Sequence, residues 1–199
     1  FALAHETFVA MKRHVDMIGS VSAERIAEEL NTLLTLTGCP SAGFRLMHHS
    51  GLLKHVLPEL ELCYGVDQPG PYHKYDVFEH IIRTIDAAEP RLRLRLAALF
   101  HDIRKPQHRR VAEDRATFYG HDTGGSRTTI EVMNRLRYSK DLSSEVATLV
   151  ERHMFTTDVT DKGLRRFIKR VGVDLIFDLL DLRRADVVAQ GMGGKTDDV

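Results

Sequence analysis

Residues 91–106, RLRLRLAALFHDIRKP, force a choice between fold classes. Leu92, Leu94 and Leu96 alternate with Arg91, Arg93 and Arg95, as the two faces of a strand would. Leu92, Leu96, Leu99 and Ile103 also recur at i, i+4, i+7 and i+11, and Ala97-Ala98 favour a helix. No other stretch of the chain reads as a partner strand, so the helix is preferred and the architecture is all-α. This helical run, LAALFHDIRKP from residue 96, ends on His101-Asp102 with Arg104 and Lys105 just behind. Two metal-type ligands followed by two cations suggest a site for a metal and a phosphate.

The rest of the chain reads as short amphipathic helices. Phe8, Met11, Val15 and Ile18 place one at residues 5–18. Ser22 is a candidate N-cap, Glu24 suits the positive helix start, and Ile26, Leu30, Leu33, Leu34 and Thr37 form one face before Gly38-Cys39-Pro40. Helices follow near 41–49, ended by Gly51, and around Leu52–Leu57, ended by Pro58. GVDQPGPY, residues 65–72, is the strongest break and reads as a linker or rigid loop. Val77, Ile81, Thr84, Ile85 and Ala88 then give a face to 76–88. The polar, glycine-bearing stretch 107–125 reads as a long loop carrying His121. Further helices are expected after a Ser126 cap, after Ser143, around Leu164–Val171 and over 174–190, followed by a disordered tail at 192–199.

Composition removes several classes of function. Lys+Arg and Asp+Glu both number 28, so there is no global charge to draw the chain to nucleic acid or membrane, though local basic patches remain open. Cys39 and Cys63 lie in no zinc spacing, and the expected setting is reducing and cytoplasmic. No apolar run approaches the roughly 18–20 residues of a membrane span, and His5, Glu6 and Lys12-Arg13 interrupt any signal-peptide pattern in the opening residues. The chain begins without Met inside a helical pattern, which reads as a fragment or a trimmed chain.

Four polar positions stand on or beside apolar stripes: His80, His101 with Asp102, His153 and Asp186. A carboxylate at the inner position of a stripe, as Asp186 is, is costly unless paired or bound to metal. Arg183 or Arg184 could neutralise it, and His80 or His153 alone could be an ordinary interfacial histidine. Satisfying all of these separately is less economical than one metal centre. Adding His121, the ligands fall at intervals of 21, 20, 32 and 33 residues, one per element, as in metal sites built inside helical bundles.

In this order, His80, His101-Asp102 and Asp186 resemble the HD phosphohydrolase superfamily, in which these four bind one divalent metal. His121 and His153 resemble the added ligands of members with a second metal, with Asp102 as the bridge. VSAERIAEEL, HSGLLKHVLPEL, YDVFEH, LAALFHDIRKP, TFYGHDTGG and LRRADVVAQG together resemble the C-terminal part of bacterial CCA-adding enzymes of the tRNA nucleotidyltransferase/poly(A) polymerase family. The resemblance covers residues 1–191, with 22–60 matching its helical RNA-binding segment and 73–191 its HD domain. It implies an RNA-binding-like segment at 1–68 and an HD domain at 69–191. Two departures are Arg104, where glycine is common, and Asp122, where glutamate is usual. No Gly-Ser turn with an Asp-x-Asp pair is found, so CCA addition is not expected from this chain by itself.

An imidazole-rich set with two carboxylates suits Fe, Mn, Co, Ni or Zn better than Mg or Ca. The implied reaction is metal-dependent hydrolysis of a phosphate ester, with a 2′,3′-cyclic phosphate or a nucleotide monoester as first substrates. Asp102 would be central, Arg104 and Lys105 would neutralise phosphate oxygens, and His73 would stabilise phosphate or protonate a leaving oxygen. The competing reading is a non-catalytic tRNA-binding module. There, residues 1–68 and the exposed face of Arg165, Arg166, Lys169 and Arg170 hold tRNA phosphates, and the metal only stabilises the bundle.

Overall fold

A computed structural model describes residues 3–69, 74–112, 115–156 and 160–191. Among them are twelve α-helices and one two-stranded sheet. The fold is all-α, and no helix among the described residues is long and apolar enough to cross a membrane. His73 and the tail at 192–199 fall outside the described residues.

The ambiguous stretch forms helix α7, Leu92–Phe100, and it sits at the centre of the molecule. α1 is His5–Arg13, α2 Ala23–Leu36, α3 Pro40–Ser50, α4 Leu53–Val56, α5 Pro58–Glu61 and α6 Val77–Ala87. α7 packs against α2, α6 and three later helices: α9 (His121–Arg135), α10 (Lys140–Arg152) and α12 (Val173–Ala189). From Leu94 to Phe100 a helix surrounded in this way has no solvent face. Leu94 and Leu96, on different sides, are therefore both fully buried, which explains why the leucines mimic a strand. Arg91 and Arg93 reach sideways from α7 to carboxylates: Arg91 to Asp178 and Asp181, and Arg93 to Asp178 at 2.5 Å and Glu145 at 3.0 Å.

Caps set most boundaries. Ser22 accepts from Arg25 N, Asp76 from Glu79 N, Ser139 from Leu142 N and Thr160 from Gly163 N. Gly51 closes α3 at φ 80°, a conformation glycine takes without strain. Helix α11, Asp161–Val171, runs into α12 through Gly172.

Four expectations need correction. The first helix stops at Arg13, and Val15–Ser20 continues as a 3₁₀ helix. The cap of α10 is Ser139; Ser143 lies inside the helix, its hydroxyl donating to Ser139 O at 2.8 Å. The supposed loop at 107–125 holds a short helix α8, Lys105–His108, and a hairpin pairing β1 (Arg110–Ala112) with β2 (Arg115–Thr117). α9 starts at His121, five residues before the expected Ser126 cap, so His121 is a helical residue.

Buried residues from both ends of the chain form one core. Leu30, Leu34 and Phe44 belong to the same cluster as Phe78, Ile82, Leu94, Leu149 and Leu179. Polar ties reinforce this: Arg45 to Glu79 at 2.6 Å, Tyr138 Oη to Asn31 Oδ1 at 2.6 Å, and Arg135 to Glu59 at 2.6 Å. Burial works to raise the Glu59 carboxyl, but Arg135 outweighs it and holds the pKa below its usual 4.5. A depressed carboxyl stabilises the fold above its unfolded pKa, and that contribution is lost as pH falls through the folded value. Glu59→Gln should flatten the fall in melting temperature between pH 5 and 3. Because Arg135 is largely exposed, the effect should stay within about 1 kcal/mol.

Candidate metal centre

Asp102 lies in the turn after α7, buried to 2% exposure, and its two oxygens face two separate histidine pairs. Oδ2 is 3.3 Å from His80 Nε2 and 3.1 Å from His101 Nε2. Oδ1 is 3.2 Å from His121 Nε2 and 3.7 Å from His153 Nε2. Asp186, on α12, closes the first half, with Oδ1 3.1 Å from His80 Nε2 and 4.0 Å from His101 Nε2. The ligand atoms divide into His80, His101 and Asp186 on one side and Asp102, His121 and His153 on the other. Within each group all lie within 4.8 Å of one another. Five elements supply them: α6, the turn after α7, the start of α9, the end of α10 and α12.

The imidazoles suit a cation. Nδ1 of His101 faces Ala98 O at 2.8 Å, that of His121 faces Phe118 O at 2.7 Å, and that of His153 faces Val150 O at 2.7 Å. Only a protonated nitrogen donates to a carbonyl, so Nδ1 carries the hydrogen and, in the neutral ring, Nε2 presents a lone pair. His121 Nε2 and His153 Nε2 then oppose each other at 3.3 Å with no hydrogen between them. A cation held by these residues would relieve this, and the donor set of imidazoles and carboxylates is that of divalent transition metals. The residues fit the group.

Charge is uneven across the cluster. Burial disfavours a proton on His80, yet hydrogen bonds to Asp102 and Asp186 raise its pKa to about 9. Burial and the neighbouring His101 push His153 down to about 4. His121 is raised, Asp102 overcoming the cost of burial. Burial would raise both carboxyls, but His101 and Lys105 hold Asp102 well below the usual range, and His80 holds Asp186 below it.

A cleft of about 610 Å³ opens onto the cluster, lined by Asp102, His121, His153 and Asp186 within and by Phe118, Tyr119 and Met154 towards solvent. Lys105 lies on its wall but is buried; its Nζ is 2.6 Å from Asp102 Oδ2 and 2.7 Å from Gln68 Oε1. Arg104, one residue earlier in a tight turn, lines a different hollow. Arg165, Arg166, Lys169 and Arg170 are exposed on α11, and none lines this cleft. Arg183, one of the two arginines the sequence offers as a partner for Asp186, enters the cleft and donates to Asp186 Oδ2 at 3.0 Å. Sequence reasoning missed Gln68. Gln68, hidden in the Gly/Pro-rich break, is 5% exposed and had no signal of its own.

Comparison with known proteins agrees with this geometry. Residues 77–190 match the HD domain model, and residues 1–63 match a model described as the probable RNA and SrmB-binding site of polymerase A. The chain is 37% identical over 95% of its length to a CC-adding tRNA nucleotidyltransferase of Thermus thermophilus, covering 46% of that protein. It is 36% identical over 82% of its length to an A-adding tRNA nucleotidyltransferase of Deinococcus radiodurans, covering 38% of it. A multifunctional CCA protein of Chromobacterium violaceum is 35% identical over 71% of the chain, which covers 35% of that protein. The chain thus spans less than half the length of these curated relatives. With the HD model extending from the first residue of α6 to the residue after α12, and so over every candidate ligand, the chain belongs to the HD-domain family.

Proposed function

We propose that this HD domain is a metal-dependent phosphohydrolase, with His80, His101, Asp102, His121, His153 and Asp186 holding one or two divalent transition-metal ions. The observation that carries the reading is the single buried carboxylate of Asp102 turned to a histidine pair at each oxygen. When bound, such ions polarise a phosphoryl oxygen and lower the pKa of an attacking water.

The chain's own residues have separate tasks. Lys105, tied to Gln68, orients the Asp102 carboxylate rather than reaching out to substrate. Arg183 is the cation in the cleft that remains partly exposed, at 31%, and its guanidinium can turn to phosphate oxygens. Tyr119, 84% exposed at the mouth, offers a face on which a nucleobase can stack. A 2′,3′-cyclic phosphate or a nucleotide monoester remains the first substrate to try, with tRNA as a partner supported by the RNA-binding match at residues 1–63.

A generic test is hydrolysis of bis(p-nitrophenyl) phosphate with Mn²⁺, Co²⁺, Ni²⁺ or Zn²⁺. Turnover should require added metal, stop with chelator and vanish in the His101→Ala/Asp102→Ala variant. Fully metallated protein without turnover on this diester, a 2′,3′-cyclic nucleotide and a nucleotide monoester, but still binding tRNA with steep salt dependence, would establish the non-catalytic tRNA-binding reading instead.

A further inference from the structure

A second hollow, of about 410 Å³, adjoins the metal cleft, and Gly120 lines both. Its walls carry two guanidiniums, Arg104 and Arg127, and one carboxylate, Glu131, a turn beyond Arg127 on α9. Arg45, Arg91, Arg93, Arg135 and Arg183 all rest on carboxylates. Among the described residues, Arg104 and Arg127 form no ion pair, as holds too for surface arginines such as Arg165 and Arg166, but Arg104 is half-buried. The Nε of Arg104 is buried with no acceptor. A buried donor without a partner is costly, and a guanidinium in that state favours an incoming anion.

The shape of the hollow depends on glycine. A Cβ at Gly124 would stand 2.8 Å from His108 Nε2 and 3.7 Å from Arg104 Cβ, so the bare backbone lets both side chains lie against α9. His108 is held there by Tyr119 O, 2.9 Å from its Nδ1. From Gly120 at the rim to Arg127, the hollow follows α9 for about 10 Å at 1.5 Å per residue.

We propose that this hollow is a second phosphate subsite. In it, Arg104 and Arg127 hold the internucleotide phosphate next to the one in the metal cleft. The substrate class is then the 3′ end of a single-stranded RNA rather than a free mononucleotide. The inference rests on the cleft receiving the terminal phosphate, as in the proposed hydrolase. RNA is favoured over other polyanions because residues 1–63 match an RNA-binding model.

The test reads binding, not turnover. Adenosine 3′-monophosphate has only the terminal phosphate, whereas the dinucleotide ApAp adds one internal phosphate. Equilibrium affinities for both are measured on metal-loaded protein, on ice and over a short time, and repeated in the His101→Ala variant. ApAp should bind at least about tenfold more tightly, the scale of one charge-assisted contact. Arg127→Ala and, separately, Arg104→Met should each bring that ratio most of the way to one. Each should also lower the salt dependence of ApAp binding by about 0.7 in log–log slope, the value for one phosphate of a single strand. Arg127→Lys should restore part of both. A ratio unchanged in both variants, with melting temperatures as in the parent, would overturn the subsite. The two readings fail separately. An inactive cleft with the Arg-dependent ratio intact defeats the hydrolase, and turnover of mononucleotides with no gain from the added phosphate defeats the subsite.

Discussion

Asp102→Ala should abolish metal binding on both sides of the cluster at once and reduce ester hydrolysis about a thousandfold or more. The factor corresponds to about 4 kcal/mol of transition-state stabilisation, within what a bound metal supplies. The effect should be unlike that of neighbouring ligands because Asp102 belongs to both halves. Asp186→Ala should deplete the half it shares with His80 and His101, and His153→Ala should deplete the half it shares with His121. Metal analysis after purification without chelator distinguishes these outcomes. Unchanged metal content in Asp186→Ala would remove that residue from the ligand set. If Asp102→Ala lost no more metal than Asp186→Ala, the bridging role would fail.

Arg95→Met should lower unfolding free energy by about 3 kcal/mol. Arg95 is 4% exposed and forms no ion pair among the described residues, Asp86 acting on it only at longer range. Its guanidinium instead donates to three carbonyls: Leu34 and Thr37 at the end of α2, and Ala88 after α6 at 3.0 Å. These are the orphan oxygens of two helix C-termini, and the central helix closes both with one side chain. Methionine fills the volume but leaves the carbonyls unsatisfied, at about 1–3 kcal/mol for each that water does not reach. For a chain of this size that corresponds to a fall in melting temperature of roughly 6–12 °C. A melt within 2 °C of the parent would show that water replaces the guanidinium.

The helices were legible because apolar residues recur at helical spacing and caps announce the starts. The six ligand candidates were legible because imidazoles and carboxylates stand where the pattern asks for apolar groups, and folding brings all six together. What misled was glycine. Gly120, Gly124 and Gly125 made 107–125 look like loop, yet a Cβ at Gly125 would lie 3.1 Å from Val150 Cγ1 and 3.6 Å from the carbonyls of Phe100 and His101. The glycine there marks close packing of α9 on the turn that carries His101 and Asp102, not a break. Side-chain direction in a turn was equally hidden. Arg104 and Lys105 are adjacent in sequence, but one lines the second hollow and the other braces Asp102. Arg95 stood in sequence as one of three arginines alternating with leucine, and nothing there set it apart from Arg91 and Arg93.

The shared core limits how such a chain can be recombined. Leu34 and Phe44 complete a surface whose other side is Phe78, Ile82 and Leu94, and Arg95 caps a helix from the opposite half. An HD unit excised at residue 69 would expose that apolar surface and leave the Arg95 guanidinium without the α2 carbonyls of Leu34 and Thr37. A chimera between relatives should therefore fold only when its donor segment carries both the N-terminal helices and the bundle with the candidate ligands. The candidate metal centre and the RNA-binding-like helices beside it thus form one folding unit.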